Sequence, residues 1–351
     1  MTEKLKETLP RWLKKITSIF TADESSGSER PDRQAFWRIV RKEFADSIRS
    51  WRIVILLGII LLTCIASLYT AVTTIQDVVE ASKDAQKIGR GAYLFLSLFT
   101  VSDGTMPSFI TFIGLLGPLL GIALGFDAIN SERNRGTLSR LMSQPVPRDY
   151  VINAKFVSSV LLLTLLFFSL GFLVMALGIL ILGIPPTWEE FARIMFFLFM
   201  CIVYIAFWLN LGILFSVIFQ QAATSALASL AVWLFFGVFF PIIVNLFANN
   251  VLNVEQIATM GELLARYGWV LALMRLSPNY LFNELVSVLL SPTTRYVGIV
   301  TAEQMAGAVT SPLPLSQSLL LVWPQITAMI AATLICFAVS YVLFMRQEIR
   351  A

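Results

Sequence analysis

Residues 194–254 contain no charged side chain, a run of 61 positions. At ~1.5 Å rise per residue, one helix of that length would be about three times as long as a bilayer's hydrocarbon core is thick. The run must therefore cross a membrane and fold back at least once. Near its middle the strongly polar pair is Gln220-Gln221, which places a tight turn there. That divides the run into one span over 194–219 and another over 222–247. Pro241 falls near the far end of the second, where it breaks or kinks the helix.

Four more apolar runs have the length to cross: 53–76, 108–129, 151–184 and 321–345. The first is uncharged over 24 residues, and about 20 suffice. The third is longer than one bilayer needs, so it tilts or projects into water. Only 14% of residues are charged, against roughly 25% in soluble domains. The predicted fold class is all-α: a polytopic membrane protein with six transmembrane helices. In the second span Gly114, Gly117, Pro118, Gly121 and Gly125 recur at three- and four-residue spacing. Such spacing permits close helix approach, and Pro118 kinks the helix. Packing and a flexible helix facing a substrate path both suit this pattern. Asn210, deep in the fourth span, needs a hydrogen-bond partner, either another helix or a substrate. Asn245 in the fifth span is a similar candidate for the path or for packing.

The segments between spans divide by charge. With a cytoplasmic N-terminus and six spans, 19 of the 26 lysines and arginines fall inside and 7 outside. The acids divide almost evenly. That asymmetry is what the positive-inside rule expects, and it places both termini in the cytosol. Residues 1–33 read as a cytoplasmic extension: a basic amphipathic helix over 1–20, then a Ser-, Gly- and acid-rich linker. The helix suits the membrane interface and a face on another subunit equally. The six-span domain occupies 34–351. It opens with a second amphipathic helix, in which Phe36, Ile39, Val40, Phe44 and Ile48 oppose Arg38, Arg41, Lys42, Glu43 and Arg49. A large outer region spans 248–320. Within it Leu276-Ser277-Pro278-Asn279 caps an apolar helix through Leu290, expected to lie half-sunk in the outer interface.

Several function classes lack their chemistry here. There is no histidine, and the six predicted spans hold no Asp, Glu, Lys or Arg away from their ends. Proton-coupled transport needs such groups within the membrane. Neither His-Glu-x-x-His nor an embedded aspartate pair is present for an intramembrane hydrolase. The three cysteines stand in different apolar runs without metal-ligand spacing, so neither a metal site nor a catalytic residue is assigned. A passive channel wants polar rings that the spans do not offer. No Gly-x-x-x-x-Gly-Lys-[Ser/Thr] is found, so the chain is expected to have no phosphate-cradling loop of its own and not to be an enzyme. No cofactor is assigned to this chain, and no nucleic-acid partner.

The remaining candidate is a loop over residues 127–150, between the second and third spans. Its bases are Arg133, Arg135, Arg140 and Arg148, with Lys155 just beyond, and its acids are Asp127, Glu132 and Asp149. Leu138, Leu141 and Met142 fall at i, i+3 and i+4, one face of a helix that Pro145 and Pro147 end. The string Glu132-Arg133-x-x-Gly136-Thr137-Leu138-x-x-Leu141-x-Ser143-x-Pro145-Val146-x-Arg148 resembles the coupling loop of type-2 ATP-binding-cassette (ABC) transporter permeases. Ser139 stands where that family often carries an acid. Spans, loops and tail also follow the family's order over most of the chain, and Lys42-Glu43 with Arg49–Arg52 loosely matches the family's elbow helix.

The resemblance implies a permease subunit in the plasma membrane, paired with a second permease copy or homologue and two ABC ATPase subunits that hold the ATP and Mg. It implies that Glu132, Arg133, Gly136, Thr137, Leu138, Leu141, Met142 and Arg148 dock on the ATPase. The resemblance implies export, and the apolar, charge-poor interior favours a lipid-like, amphipathic or peptide cargo, with membrane lipids as neighbours. The alternative is a non-transporting scaffold or regulator worked mechanically by an ABC ATPase. For the contact between permease halves, the glycines of the second span and Ala223, Ala226, Ala228 and Gly237 of the fifth are the candidates.

Overall fold

The computed structural model describes residues 31–81, 93–102, 104, 106–136, 147–183, 185–251, 260–293 and 312–347. The predicted amphipathic helix over 1–20 lies outside them, as do Thr137, Leu138, Leu141 and Met142. Among the described residues every regular element is helical, and six helices are long and apolar enough to cross a membrane. In chain order these residues form α1 (Pro31–Arg49), α2 (Trp51–Ala81), α3 (Leu94–Thr100), α4 (Phe109–Gly125) and α5 (Asn130–Asn134). Then come α6 (Arg148–Leu182), α7 (Trp188–Ile218), α8 (Ala222–Leu234), a π turn (Phe235–Phe239) and α9 (Phe240–Val251). The last three are α10 (Met260–Met274), α11 (Pro278–Leu290) and α12 (Leu315–Arg346). The six spans are α2, α4 with α5, α6, α7, α8 with α9, and α12. At ~1.5 Å per residue the 35 residues of α6 reach about 52 Å, well beyond the hydrocarbon. Exposed tryptophans mark the two ends of the bundle: Trp37 and Trp51 near the loop, Trp188, Trp269 and Trp323 toward the other end.

The centre of the fold is α7. It is apolar on every side, as a helix surrounded by other helices must be. Over its most apolar stretch 72% of it is buried, against 11% for the fifth span. It packs on α4, α6, α8, α11 and α12. The helix starts at Trp188, six residues before the uncharged run, because Thr187 and Glu190 form a reciprocal capping box. This early start carries Arg193 into the protein, where it has no exposed surface. Its guanidinium is satisfied throughout: Nη1 donates to the Leu289 carbonyl (2.7 Å) and Ser318 Oγ (3.2 Å). Nη2 donates to the Leu313 carbonyl (2.6 Å) and Glu189 Oε1 (3.0 Å). Arg193 thus ties α7, α11 and the start of α12 together at the far end. Glu190 adds α3 by accepting the Phe95 N–H at 3.0 Å.

Between helices in lipid, close packing replaces the hydrophobic drive. Gly121 and Gly125 of α4 lie against the backbone of α7, and Gly117 against its Ile205 side chain. A Cβ at Gly121 would stand 2.6 Å from the Ile205 carbonyl oxygen, and one at Gly125 2.5 Å from that of Leu209. Tyr204 of α7 places its hydroxyl 3.0 Å from the Gly114 carbonyl and 2.7 Å from Asn279 Oδ1 of α11, with its ring stacked on Phe282 at 4.2 Å. The expectation that the glycine face joins two permease halves is corrected here, because α7 of the same chain fills it. Pro118 is buried within α4.

The turn between α7 and α8 falls at Gln220-Gln221, as the sequence predicts. The fifth span is not broken at Pro241 but changes winding just before it, over Phe235–Phe239. Pro241 has no N–H to give back to the carbonyls of the preceding turn. The Phe236 carbonyl instead accepts from the Ser277 hydroxyl at 3.2 Å, and Gly237 lets Asn279 approach to 3.0 Å of where a Cβ would sit. The expected position of α11 is also corrected. Ser277 caps it as anticipated, but Leu281, Phe282, Leu285, Val286, Val288 and Leu289 are all buried, and the helix lies within the bundle against α4, α7 and α12. Its Glu284 holds Arg275 through two oxygens (2.9 and 3.0 Å) and accepts from Gln325 of α12 at 2.9 Å.

Candidate functional site

The described part of the loop is its root. α4 ends at Gly125, the chain turns through Phe126–Ile129, and α5 follows for five residues. Asn130 and Glu132 on it are buried. The backbone N–H groups of Ile129 and Asn130 both donate to Ser216 Oγ of α7, at 2.9 and 3.1 Å. The Asn130 amide, with its nitrogen toward α7, donates to the Ser216 and Phe219 carbonyls (2.7 and 2.6 Å). Arg133 Nη2 donates to Gln347 Oε1 (2.6 Å), and Gln347 Nε2 donates to the Val217 carbonyl (2.6 Å). One side of the root is therefore bound to the α7–α8 turn and to the end of α12.

The other side is bound by charge. Lys155 Nζ of α6 lies 2.9 Å from Glu132 Oε1 and 2.9 Å from Glu43 Oε2 of α1. The three side chains are 8%, 11% and 15% exposed, so this is a buried triad linking α1, α5 and α6. Arg52, at the start of α2, reaches Asp127 Oδ2 at 2.6 Å and lies over the Phe126 ring at 5.3 Å. Phe36 of α1 meets Tyr150 of α6 edge to face at 5.4 Å. The sequence-predicted Glu132 and Arg133 are thus brought together at the root. Gly136 follows α5 in the left-handed region (φ 66°), a conformation that glycine adopts without strain, and its N–H donates to the Arg133 carbonyl at 3.1 Å. Arg148 is exposed at the start of α6. The proposed docking residues Thr137, Leu138, Leu141 and Met142 lie outside the described residues.

The other candidates are spread through the bundle. Asn210 is fully buried and donates to the Thr333 carbonyl of α12 at 3.2 Å. Asn245 is exposed on the fifth span, whereas Asn210 and Pro118 are buried. Sequence reasoning named Lys155 and Glu43 only as charges of the loop and the elbow helix and did not join them, and it missed Ser216 and Gln347. The signal for the first two was present as an uncompensated lysine inside the start of a span and an acid on the amphipathic helix, but nothing in their spacing pairs them. No cluster with metal-ligating composition occurs among the described residues.

Six membrane helices, one end of which carries a polar loop clamped to five of the surrounding elements, define a polytopic membrane protein of permease type. The chain belongs to the family of ABC-2 family transporter proteins, whose model matches residues 37–349. It is similar to the probable ABC transporter permease protein NosY of Stutzerimonas stutzeri, 28% identical over 150 residues, which are 42% of this chain and 47% of that protein. It is also similar to the probable ABC transporter permease protein NosY of Pseudomonas aeruginosa PAO1, 29% identical over 130 residues, 37% of this chain and 40% of the relative. The matched part is less than half the length of either relative.

Proposed function

We propose that this chain is the membrane half of an ABC exporter, driven by ATP that a separate ATPase subunit hydrolyses. The observation that carries the reading is the construction of the loop root. Its residues are held by hydrogen bonds to α7 and α12 and by ion pairs to α2 and to Lys155 of α6, which also binds Glu43 of α1. A push on the loop tip would reach five elements at once, including the central helix. A loop with no mechanical task has no need of a buried triad, whose desolvation cost offsets most of its attraction.

In this reading Leu138, Leu141 and Met142 form the face that meets the ATPase, flanked by Glu132, Arg133, Gly136, Thr137 and Arg148. ATP and Mg reside on two such ATPase subunits. The permease works as a pair, and the fifth span is the surface that supports this: Leu227, Leu234, Val238, Ile242 and Leu246 are all exposed. The cargo is lipid-like, amphipathic or peptidic, in keeping with an interior poor in charge. The protein sits in the plasma membrane with both termini in the cytosol, and Asn210, Pro118 and Asn245 are candidates along the path.

Replacement of Leu138 and Leu141 by Asp tests the coupling role. Association with the co-purified ABC ATPase, identified by mass spectrometry, should fall at least tenfold while the size-exclusion profile is preserved. Full ATPase binding by the double variant refutes the proposal. Failure of the variant to accumulate would assign this face to the permease's own core and refute it as well. ATP-dependent work without movement of any cargo would favour the scaffold reading.

A further inference from the structure

A second feature of the loop end is a cavity of about 140 Å³ between α1, the start of α2, the end of α4 and the beginnings of α5 and α6. Its lining is rich in hydroxyl and charged groups. Five serines face it: Ser47, Ser50, Ser131, Ser158 and Ser159. Ser158 gives its hydroxyl to the Lys155 carbonyl at 3.0 Å. Ser159 is only 6% exposed, and its hydroxyl opens into the cavity without a hydrogen bond to any described residue. A hydroxyl open to the cavity and free of protein partners is available to an occupant.

The charges narrow its chemistry. Glu43, Asp46 and Asp127 line the cavity against Arg52 and Lys155, a net charge of −1. Lys155 is engaged by Glu43 and Glu132, while Asp46 stands at the rim, 63% exposed and 4.0 Å from Lys42. A bare anion is disfavoured there and an ammonium group is favoured. Arg52 is 61% exposed and bonded to Asp127 through one nitrogen, which leaves donors of its guanidinium for a phosphate beside the amine. Quaternary ammonium groups are recognised by aromatic cages, and no aromatic residue lines this cavity. The volume is well below the ~300–1,000 Å³ of ordinary ligand pockets, so a headgroup fits and a whole cargo molecule does not. Along α2, whose Arg52 and Ile53 line the cavity, Ile55, Ile59 and Leu62 are exposed apolar residues at helical spacing, with Trp51 exposed at the start of the helix.

We propose that this cavity binds the headgroup of a zwitterionic, primary-amine phospholipid of the phosphatidylethanolamine type, taken from the surrounding membrane, with its acyl chains along α2. The ammonium sits among Asp46, Asp127 and the serine hydroxyls, and the phosphate meets Arg52. The site holds a lipid at the joint between α1 and the loop root and does not depend on what the protein transports.

The test is native mass spectrometry of the full chain in detergent, titrated with dioleoyl phosphatidylethanolamine, phosphatidylcholine, phosphatidylglycerol or water-soluble phosphoethanolamine. Phosphatidylethanolamine should bind at least tenfold more tightly than the other lipids. That preference should be lost in Ser159→Leu, which fills the cavity, and weakened in Asp46→Asn at the exposed rim. Equal binding of phosphatidylcholine or phosphatidylglycerol overturns the proposal, as does unchanged binding by Ser159→Leu. Phosphoethanolamine binding as tightly as the lipid would make the ligand a soluble one and overturn the membrane source. If Ser159→Leu does not fold, Asp46→Asn decides: undiminished phosphatidylethanolamine binding there refutes the site.

Discussion

Replacing Lys155 by Met should damage this protein more than removing the whole triad does. Each carboxylate lies 2.9 Å from Nζ, worth about 6 kcal/mol of attraction at an effective dielectric of 20. Desolvation of three ions, at several kcal/mol each, cancels much of that gain, so the intact cluster contributes little net stability. Without the lysine the balance changes. The two bonded oxygens are at most about 5.8 Å apart, twice the ion-pair distance, and their repulsion is then at least about 3 kcal/mol. Lys155→Met should therefore cost about 3–5 kcal/mol, in line with other broken buried pairs. The triple variant Glu43→Gln, Glu132→Gln, Lys155→Met carries no charge there and should recover more than half of the loss. Unfolding in detergent can be followed with a thiol-reactive fluorophore, because Cys64, Cys201 and Cys336 are free, buried and placed in α2, α7 and α12. A Lys155→Met variant as stable as wild type, or a triple variant less stable than the single, would refute the reasoning.

Gly121→Val should force α4 from α7, since even a Cβ meets the Ile205 carbonyl at 2.6 Å, and should destabilise by at least about 1–3 kcal/mol. Gly58→Ala, with nothing within 4 Å of the added atom, is the control and should unfold like wild type in the same assay. Arg193→Met should cost about 3–5 kcal/mol by unpairing Glu189 and two carbonyls, and Arg193→Lys should fail to rescue it, because one ammonium cannot span acceptors on three segments. Cysteines placed singly at Ser82 and Thr301 should react with an impermeant reagent in intact cells; reaction only after permeabilisation would invert the topology.

The number and approximate limits of the spans were legible because each is long, apolar and interrupted by charge or by a polar turn such as Gln220-Gln221. The start of α7 was not, since Glu189, Glu190 and Arg193 read as loop residues until their partners are known. Arg193 is tolerated inside because Leu289 and Leu313 supply carbonyls from positions 96 and 120 residues away. The placement of α11 failed for the same reason: an apolar helix with a polar cap suits an interface, and the distant partners that draw it inward, Tyr204, Arg193 and Gln325 among them, are not visible from its own residues. At the loop, Glu132 and Arg133 were visible in the motif. Lys155 was counted merely as a positive charge near a membrane end, because the acids it joins are 112 and 23 positions away. The glycines announced a close contact but not the helix that makes it.

The π turn in the fifth span has a consequence for everything after it. Each residue of an α-helix advances about 100° around the axis, so one extra residue in a turn leaves the following helix that far out of phase with the preceding one. Val244 and Ala248 meet Val270 of α10 only in that shifted phase. Deleting one residue from Phe235–Phe239 would make the span a continuous helix and swing those two side chains a quarter-turn or more off α10. Five residues therefore act as an angular offset, setting which flank of the span turns toward α10 and which toward the bilayer.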